Sequence, residues 1–168
     1  MCSCAQGSPC ARLEARDITF IGPAEGRLAS GGRGPGRFTD VEEIRGAIHT
    51  ILGRDGDLAG IKILVSAGGT QAPLDPVRHI SNRSSGKMGY AIAEAARDRG
   101  AEVTLVSAPV ALTPPAGVKL VKVQTAIQMR DACIKAALHA DAVIMAAAPA
   151  DYRPKETAAN KIKKGKLD

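Results

Sequence analysis

Between residues 61 and 147, short apolar runs alternate with segments of helical periodicity, and this alternation constrains the fold more than any other feature. Residues 61–65 form an apolar run of the kind buried on both faces of a sheet. Residues 87–99 read as a helix with Met88, Ile92, Ala95 and Ala96 on one face and Gly100 at its stop. Residues 103–106 and 118–123 read as two further strands. Thr125-x-x-Gln128 is a capping box that opens a second helix, whose inner face carries Met129, Ala132, Cys133 and Ala136. Residues 142–147 close the series as a strand that is apolar throughout. Parallel strands need crossover connections, and helices supply them. The expected fold is α/β, a Rossmann-like parallel sheet with helices on both faces, truncated at its C-terminal end where residues 151–168 turn mostly polar.

The chain before residue 55 is different in kind. Residues 18–21 suit a brief strand that Gly22-Pro23 ends, residues 31–36 a glycine-rich loop, and Thr39-x-x-Glu42 a capping box for a helix that Gly53 closes. One strand, one loop and one helix cannot bury a core alone, so this block is an appendage or the end of another domain. Residues 54–60 are polar and contain glycine, as a linker would. No internal repeat is visible.

Composition excludes several classes. With 168 residues and 45% hydrophobic content the chain can build a core. No apolar run approaches the roughly 20 residues that span a bilayer, and no secretory signal opens the chain, so no membrane role and a cytoplasmic location are expected. The net charge of +6 favours phosphate-bearing partners. Aromatic residues are only 2%, too few for a base-stacking platform, so small anionic ligands are expected and nucleic acid is not. Cys2, Cys4 and Cys10 follow no zinc spacing and no His lies near them, which leaves a reduced N-terminal tail; Cys133 stands alone.

Open α/β sheets bind ligands at the carboxyl ends of their strands. Two segments fall there: residues 66–70 (SAGGT) and residues 146–151 (AAAPAD). Gly68 and Gly69 remove side chains where a ligand could approach the backbone, although two glycines after a strand also make an ordinary tight turn. Residues 74–89 (LDPVRHISNRSSGKMG) end at a helix N-terminus with two hydroxyls and a lysine. Free N–H groups and the helix dipole favour a phosphate there, and a plain Ser-capped helix is the alternative. Neither G-x-x-x-x-G-K-[ST] nor G-x-G-x-x-G is present.

"AGGTQAPLDPVRHISNRSSGKMG", "AAAPADYRP" and "KIKK" together resemble phosphopantothenate–cysteine ligase, over residues 61–164 with the motifs in order. "IGPAEGRLASGGRGPGRF" resembles the C-terminal end of the flavin-dependent phosphopantothenoylcysteine decarboxylase that bacteria fuse ahead of the ligase. The resemblance implies residues 1–54 as a remnant of the decarboxylase and residues 55–168 as the N-terminal part of the ligase domain. Ser30 occupies the position of that family's proton-donating cysteine. A serine hydroxyl is a far poorer acid than a thiol with pKa about 8.5. The flavin-binding bulk of that family's domain is not matched here either, so neither decarboxylase activity nor FMN binding is expected.

By the same resemblance the reaction joins cysteine to 4'-phosphopantothenate with CTP and Mg2+, through an acyl-cytidylate. Gly68, Gly69, Ser84, Ser85, Gly86 and Lys87 would cradle the triphosphate. Asn82 would hold the acyl group, and Met145, Ala146, Ala147 and Asp151 the nucleotide. Lys161 would serve the nucleotide and the activated intermediate. No residue is assigned as a metal ligand. A homodimer through the ligase domain is implied as well. Two other readings stand beside this one: a nucleotide-binding fragment without turnover, and a nicotinamide-dependent oxidoreductase. The second lacks the glycine fingerprint and the acidic residue that would close strand 103–106.

Overall fold

The computed structural model of the chain describes residues 9–163. The chain divides into two compact units, one ending at Ile48 and one beginning at His49.

The first unit opens with helix α1 (Pro9–Glu14), which carries Cys10; Cys2 and Cys4 lie outside the described residues. Strands β1 (Ala24–Arg27) and β2 (Arg33–Arg37) follow as an antiparallel hairpin. This corrects two expectations. Residues 18–21 form no strand, and most of the glycine-rich segment is the second arm of the hairpin. Neither arm shows an apolar alternation, because glycine, arginine and proline dominate both; pairing is imposed by the turn, where the Leu28 N–H donates to the Gly32 carbonyl at 2.9 Å. Helix α2 (Val41–Leu52) begins one residue late for the expected capping box. Asp40 holds the N-cap position and its carbonyl accepts from the N–H groups of Glu43 and Ile44, whereas Thr39 Oγ1 is buried without a partner.

In the second unit, strand β3 (Lys62–Ala67) is followed by a small antiparallel hairpin, β4 (Gln71–Pro73) and β5 (His79–Ser81). Then come α3 (Lys87–Asp98), β6 (Glu102–Ser107), β7 (Lys119–Lys122), α4 (Ala126–Ala137) and β8 (Ala142–Met145). The main sheet has the order β7-β6-β3-β8 and every pairing in it is parallel. The α/β fold, with one helix on each face of the sheet, is as expected.

β3 is paired on both sides, and its residues from Ile63 onward are buried. Ile63, Val65 and Ala67 pack with Tyr90, Ala93 and Ala96 of α3 on one face. Leu64 and Val106 pack with Met129 and Cys133 of α4 on the other. The α4 face and its capping box are as the sequence implied: the Gln128 N–H donates to Thr125 Oγ1 at 3.2 Å and the Thr125 N–H to Gln128 Oε1 at 3.1 Å.

The inner face of α3 is the expected one at Ile92 and Ala96 but not at Met88 and Ala95. Gly89, Tyr90, Ala93, Ala96 and Arg97 are buried, while Met88 is 70% exposed and Ala95 is exposed. Helix and strand approach so closely that a Cβ on Gly89 would stand 2.6 Å from Ala67 Cβ, and a glycine carries no apolar signal that periodicity can detect. Residues 54–60 are no free linker: Asp57 pairs with Arg99, and the Leu58 N–H donates to the Arg99 carbonyl. No helix among the described residues is long and apolar enough to cross a membrane.

Candidate functional site

The strand order creates a topological switch point. From β3 the chain moves outward to β6 and β7, with α3 and the segment carrying Val110 and Leu112 on one face. It then returns by α4 on the other face to place β8 on the opposite side of β3. The chain order thus reverses between β3 and β8, and the crevice outside the carboxyl ends of two such strands is the usual ligand position in such sheets.

Both segments singled out in the sequence meet at this crevice. Gly69 bridges Ala148 in parallel register, the Ala148 N–H donates to the Gly68 carbonyl at 2.9 Å, and the Thr70 N–H to the Ala148 carbonyl at 3.3 Å. Side chains complete the join: Ser66 Oγ accepts from the Ala147 N–H at 3.2 Å and Thr70 Oγ1 from the Ala150 N–H at 2.8 Å. Ser66 and Thr70 are both fully buried. Asn82 extends the join from the next loop, its Nδ2 donating to the Pro149 carbonyl at 2.8 Å.

The glycines have reasons within the fold. A Cβ on Gly69 would stand 2.7 Å from the Asn82 carbonyl oxygen, and one on Gly68, at φ +82, 2.9 Å from Val110 Cγ1. The space beside both backbones is therefore occupied by the protein's own atoms.

The N-terminus of α3 answers the question of the Ser-capped helix. Gly86 is its N-cap, in the left-handed region at φ 74, and no side chain caps it. A Cβ there would lie 3.5 Å from the Gly68 nitrogen, so the helix starts against the end of β3. Ser85 Oγ stands 3.4 Å from the Lys87 N–H, Ser84 turns its N–H to the Asn82 carbonyl, and Ser85 and Lys87 are exposed. An α-helix leaves its first N–H groups without intrahelical partners, and Ser84, Ser85 and Lys87 flank this helix start in the chain.

Met145 ends β8 with 61% of its surface exposed, and Ala146 and Ala147 are half-buried. Asp151 and Lys161 are exposed, and no hydrogen bond or ion pair holds either side chain among the described residues. Ser30 lies in the β1–β2 turn of the first unit.

Sequence reasoning passed over Asp75 and Arg78. The Asp75 side chain is fully buried and its oxygens accept five hydrogen bonds. Two come from the Arg78 guanidinium, at 2.9 and 2.6 Å, and three from the backbone N–H groups of Val77, Arg78 and Ile162. The Arg78 guanidinium, more than any other neighbour, holds the Asp75 carboxyl far below the ordinary value of 3.8; burial opposes the shift and the three N–H groups add to it. The spacing D-P-V-R, an aspartate turning back on N–H groups two and three residues on, was the available signal.

Cavities lie at both ends of the sheet. One of about 290 Å³, lined by Tyr90, Ser107, Val110, Leu112 and Lys122 among others, lies at the carboxyl end of β6 and β7. A groove of about 670 Å³ beside Lys62, Glu102, Lys119, Lys135 and His139 lies toward the opposite end of the strands, away from the switch point. Among the described residues no group of three or more His, Cys, Asp or Glu could hold a metal ion.

Residues 58–168 match the family described as DNA/pantothenate metabolism flavoprotein C-terminal domain. The chain is 50% identical over 160 residues to the coenzyme A biosynthesis bifunctional protein CoaBC of Mycolicibacterium smegmatis, covering 92% of this chain and 39% of that protein. It thus spans about two-fifths of the length of the curated relatives it matches. Among solved structures it resembles the C-terminal domain of a CoaBC protein at 54% identity and TM-score 0.57, over 60% of this chain and 51% of that one. A Cab2 mutant solved in complex with phosphopantothenate-cysteine shares the fold at 18% identity and TM-score 0.52, over 73% and 54% of the two chains.

Proposed function

The chain belongs to the DNA/pantothenate metabolism flavoprotein C-terminal domain family, and on that premise we propose that its crevice binds CTP and 4'-phosphopantothenate for ligation to cysteine. The observation that carries this reading is the convergence at the β3–β8 switch point of the uncapped N-terminus of α3 with Asn82, itself tied to Pro149.

A carboxylate is a poor electrophile, and the reaction makes it a good one. The phosphopantothenate carboxylate attacks the α-phosphorus of CTP, pyrophosphate leaves, and an acyl-cytidylate forms. The amine of cysteine then attacks the acyl carbon and CMP leaves. Such chemistry needs positioning and positive potential at the phosphates rather than a nucleophile from the protein.

In this reading Ser84, Ser85, Lys87 and the first N–H groups of α3 cradle the triphosphate, while Gly68, Gly69 and Gly86 let strand and helix ends meet closely enough to form the cradle. Asn82 spends one N–H on Pro149 and keeps its amide oxygen and second N–H for the acyl end. Met145, Ala146 and Ala147 offer backbone groups to base or ribose, Asp151 a carboxylate at the crevice mouth, and Lys161 positive charge for the phosphates and the activated acyl group. Mg2+ would arrive on the triphosphate and neutralise part of its charge.

We assign residues 1–54 to the end of a decarboxylase-like segment in which Ser30 supplies no acid, and residues 55–168 to the ligase part. A homodimer through the ligase part belongs to the same proposal.

The test is pyrophosphate release from CTP, with cysteine omitted and ATP compared. Release that depends on 4'-phosphopantothenate and falls at least about tenfold in Asn82→Ala is expected. Release independent of phosphopantothenate, or unchanged by N82A, would contradict the assignment.

A further inference from the structure

We propose that Asp75 is a positioning residue: through the backbone of Ile162 it fixes the strap, residues 157–162, that carries Lys161. The inference rests on the nucleotide reading above and goes beyond it, because Asp75 lies in no position that reading uses.

Three observations carry it. Asp75 is fully buried, and beyond the bonds that hold the β4–β5 turn its carboxylate reaches outside the hairpin. Its Oδ2 accepts from the Ile162 N–H at 3.1 Å, and the Arg78 Nη2 it holds donates to the Ile162 carbonyl at 2.9 Å. One ion pair therefore grips both polar groups of a single backbone unit, 87 residues away in the chain. Two further bonds lay the strap along the same edge: Thr157 Oγ1 donates to the Pro73 carbonyl at 3.2 Å and the Ala158 N–H to the Leu74 carbonyl at 3.0 Å.

Lys161 has no such bond of its own among the described residues and lies between the two fixed points, Ala158 and Ile162. Its average position is inherited from them. A lysine on a loose tail loses rotamer and backbone freedom when it engages a phosphate; one on a strapped backbone has lost part of it already. The acid is also chemically specific. An ionised carboxylate accepts at every lone pair, whereas the amide of an asparagine would turn a donor toward the Arg78 guanidinium or the Ile162 N–H.

The experiment uses the full chain and measures Mg·CTP affinity by calorimetry for the unaltered protein, Asp75→Asn, Lys161→Gln and the double variant. Amide exchange is followed at Ile162, with β3 as the control for folding. Expected are fast exchange at Ile162 in D75N with β3 still protected, and a loss of CTP affinity of about tenfold in D75N. The double variant should bind no more weakly than K161Q, because Asp75 acts through Lys161. Losses that multiply in the double variant, or D75N binding as the unaltered chain does, would overturn the inference. Should D75N fail to fold, Ala158→Pro removes one strap bond without touching the buried acid. It should weaken CTP binding in the same non-additive way, and binding as tight as in the unaltered chain would overturn the proposal. An unaltered chain that binds no Mg·CTP sinks the nucleotide reading and this inference with it; binding retained in D75N sinks the inference alone.

Discussion

At Gly89 the contact between α3 and β3 leaves no room for a methyl group, since a Cβ would meet the Ser66 carbonyl oxygen at 2.7 Å and Ala67 Cβ at 2.6 Å. Backbone cannot yield as a flexible side chain can. Gly89→Ala should therefore destabilise the chain by about 1–3 kcal/mol or more, read as a lowered midpoint in urea, even though alanine is the better helix former. Cys133 offers a second check at this scale. Burial against α4's side of the sheet pushes its thiol above the usual range, so it should resist iodoacetamide in the folded chain and react on denaturation. Mass spectrometry of the labelled peptides distinguishes it from half-buried Cys10. The places of Gly68 and Gly69 after β3 and of Asn82 ahead of α3 were legible in the sequence, because each belongs to a local pattern of strand, loop and helix. Asp75 was not, because its partner Ile162 is 87 residues distant and no periodicity links them.

Among the elements, α4 depends on its cap. Thr125→Ala removes the acceptor for the Gln128 N–H and should cost about 1 kcal/mol, seen in the same urea transition. An equal loss is not expected from Thr39→Ala, because Thr39 caps nothing and its hydroxyl is buried without a partner. The two capping-box signatures were equivalent in sequence; only one is realised, because α2 starts at Val41 and shifts the N-cap to Asp40. The strands divide in the same way. β3, β6, β7 and β8 were visible as apolar runs because they build the parallel sheet. The hairpins β1–β2 and β4–β5 were not, since their residues are largely polar, glycine or proline and their pairing follows from turns.

For the whole molecule, acid stability follows from the strap. The folded-state pKa of Asp75 is depressed, so its stabilising contribution is fully present above its ordinary value of 3.8 and is lost as pH falls below that toward the folded value. The urea midpoint should hold between about pH 7 and 5 and fall below about pH 4, and D75N should fall less steeply over the acid range. The order β7-β6-β3-β8 could not be read from sequence alone, yet it decides where the site lies, since only the β3–β8 boundary reverses direction. β8 is the end strand of the sheet, and Val143 and Met145 remain 47% and 61% exposed. The central claim is that the ligand sits at this boundary rather than in the larger groove near Lys135 and His139. Amide exchange of the full chain with and without Mg·CTP tests it most directly. Protection is predicted at residues 66–70, 84–88, 145–151 and 161–162, with the groove unaffected; protection confined to the groove residues, or none at the crevice, would contradict the account.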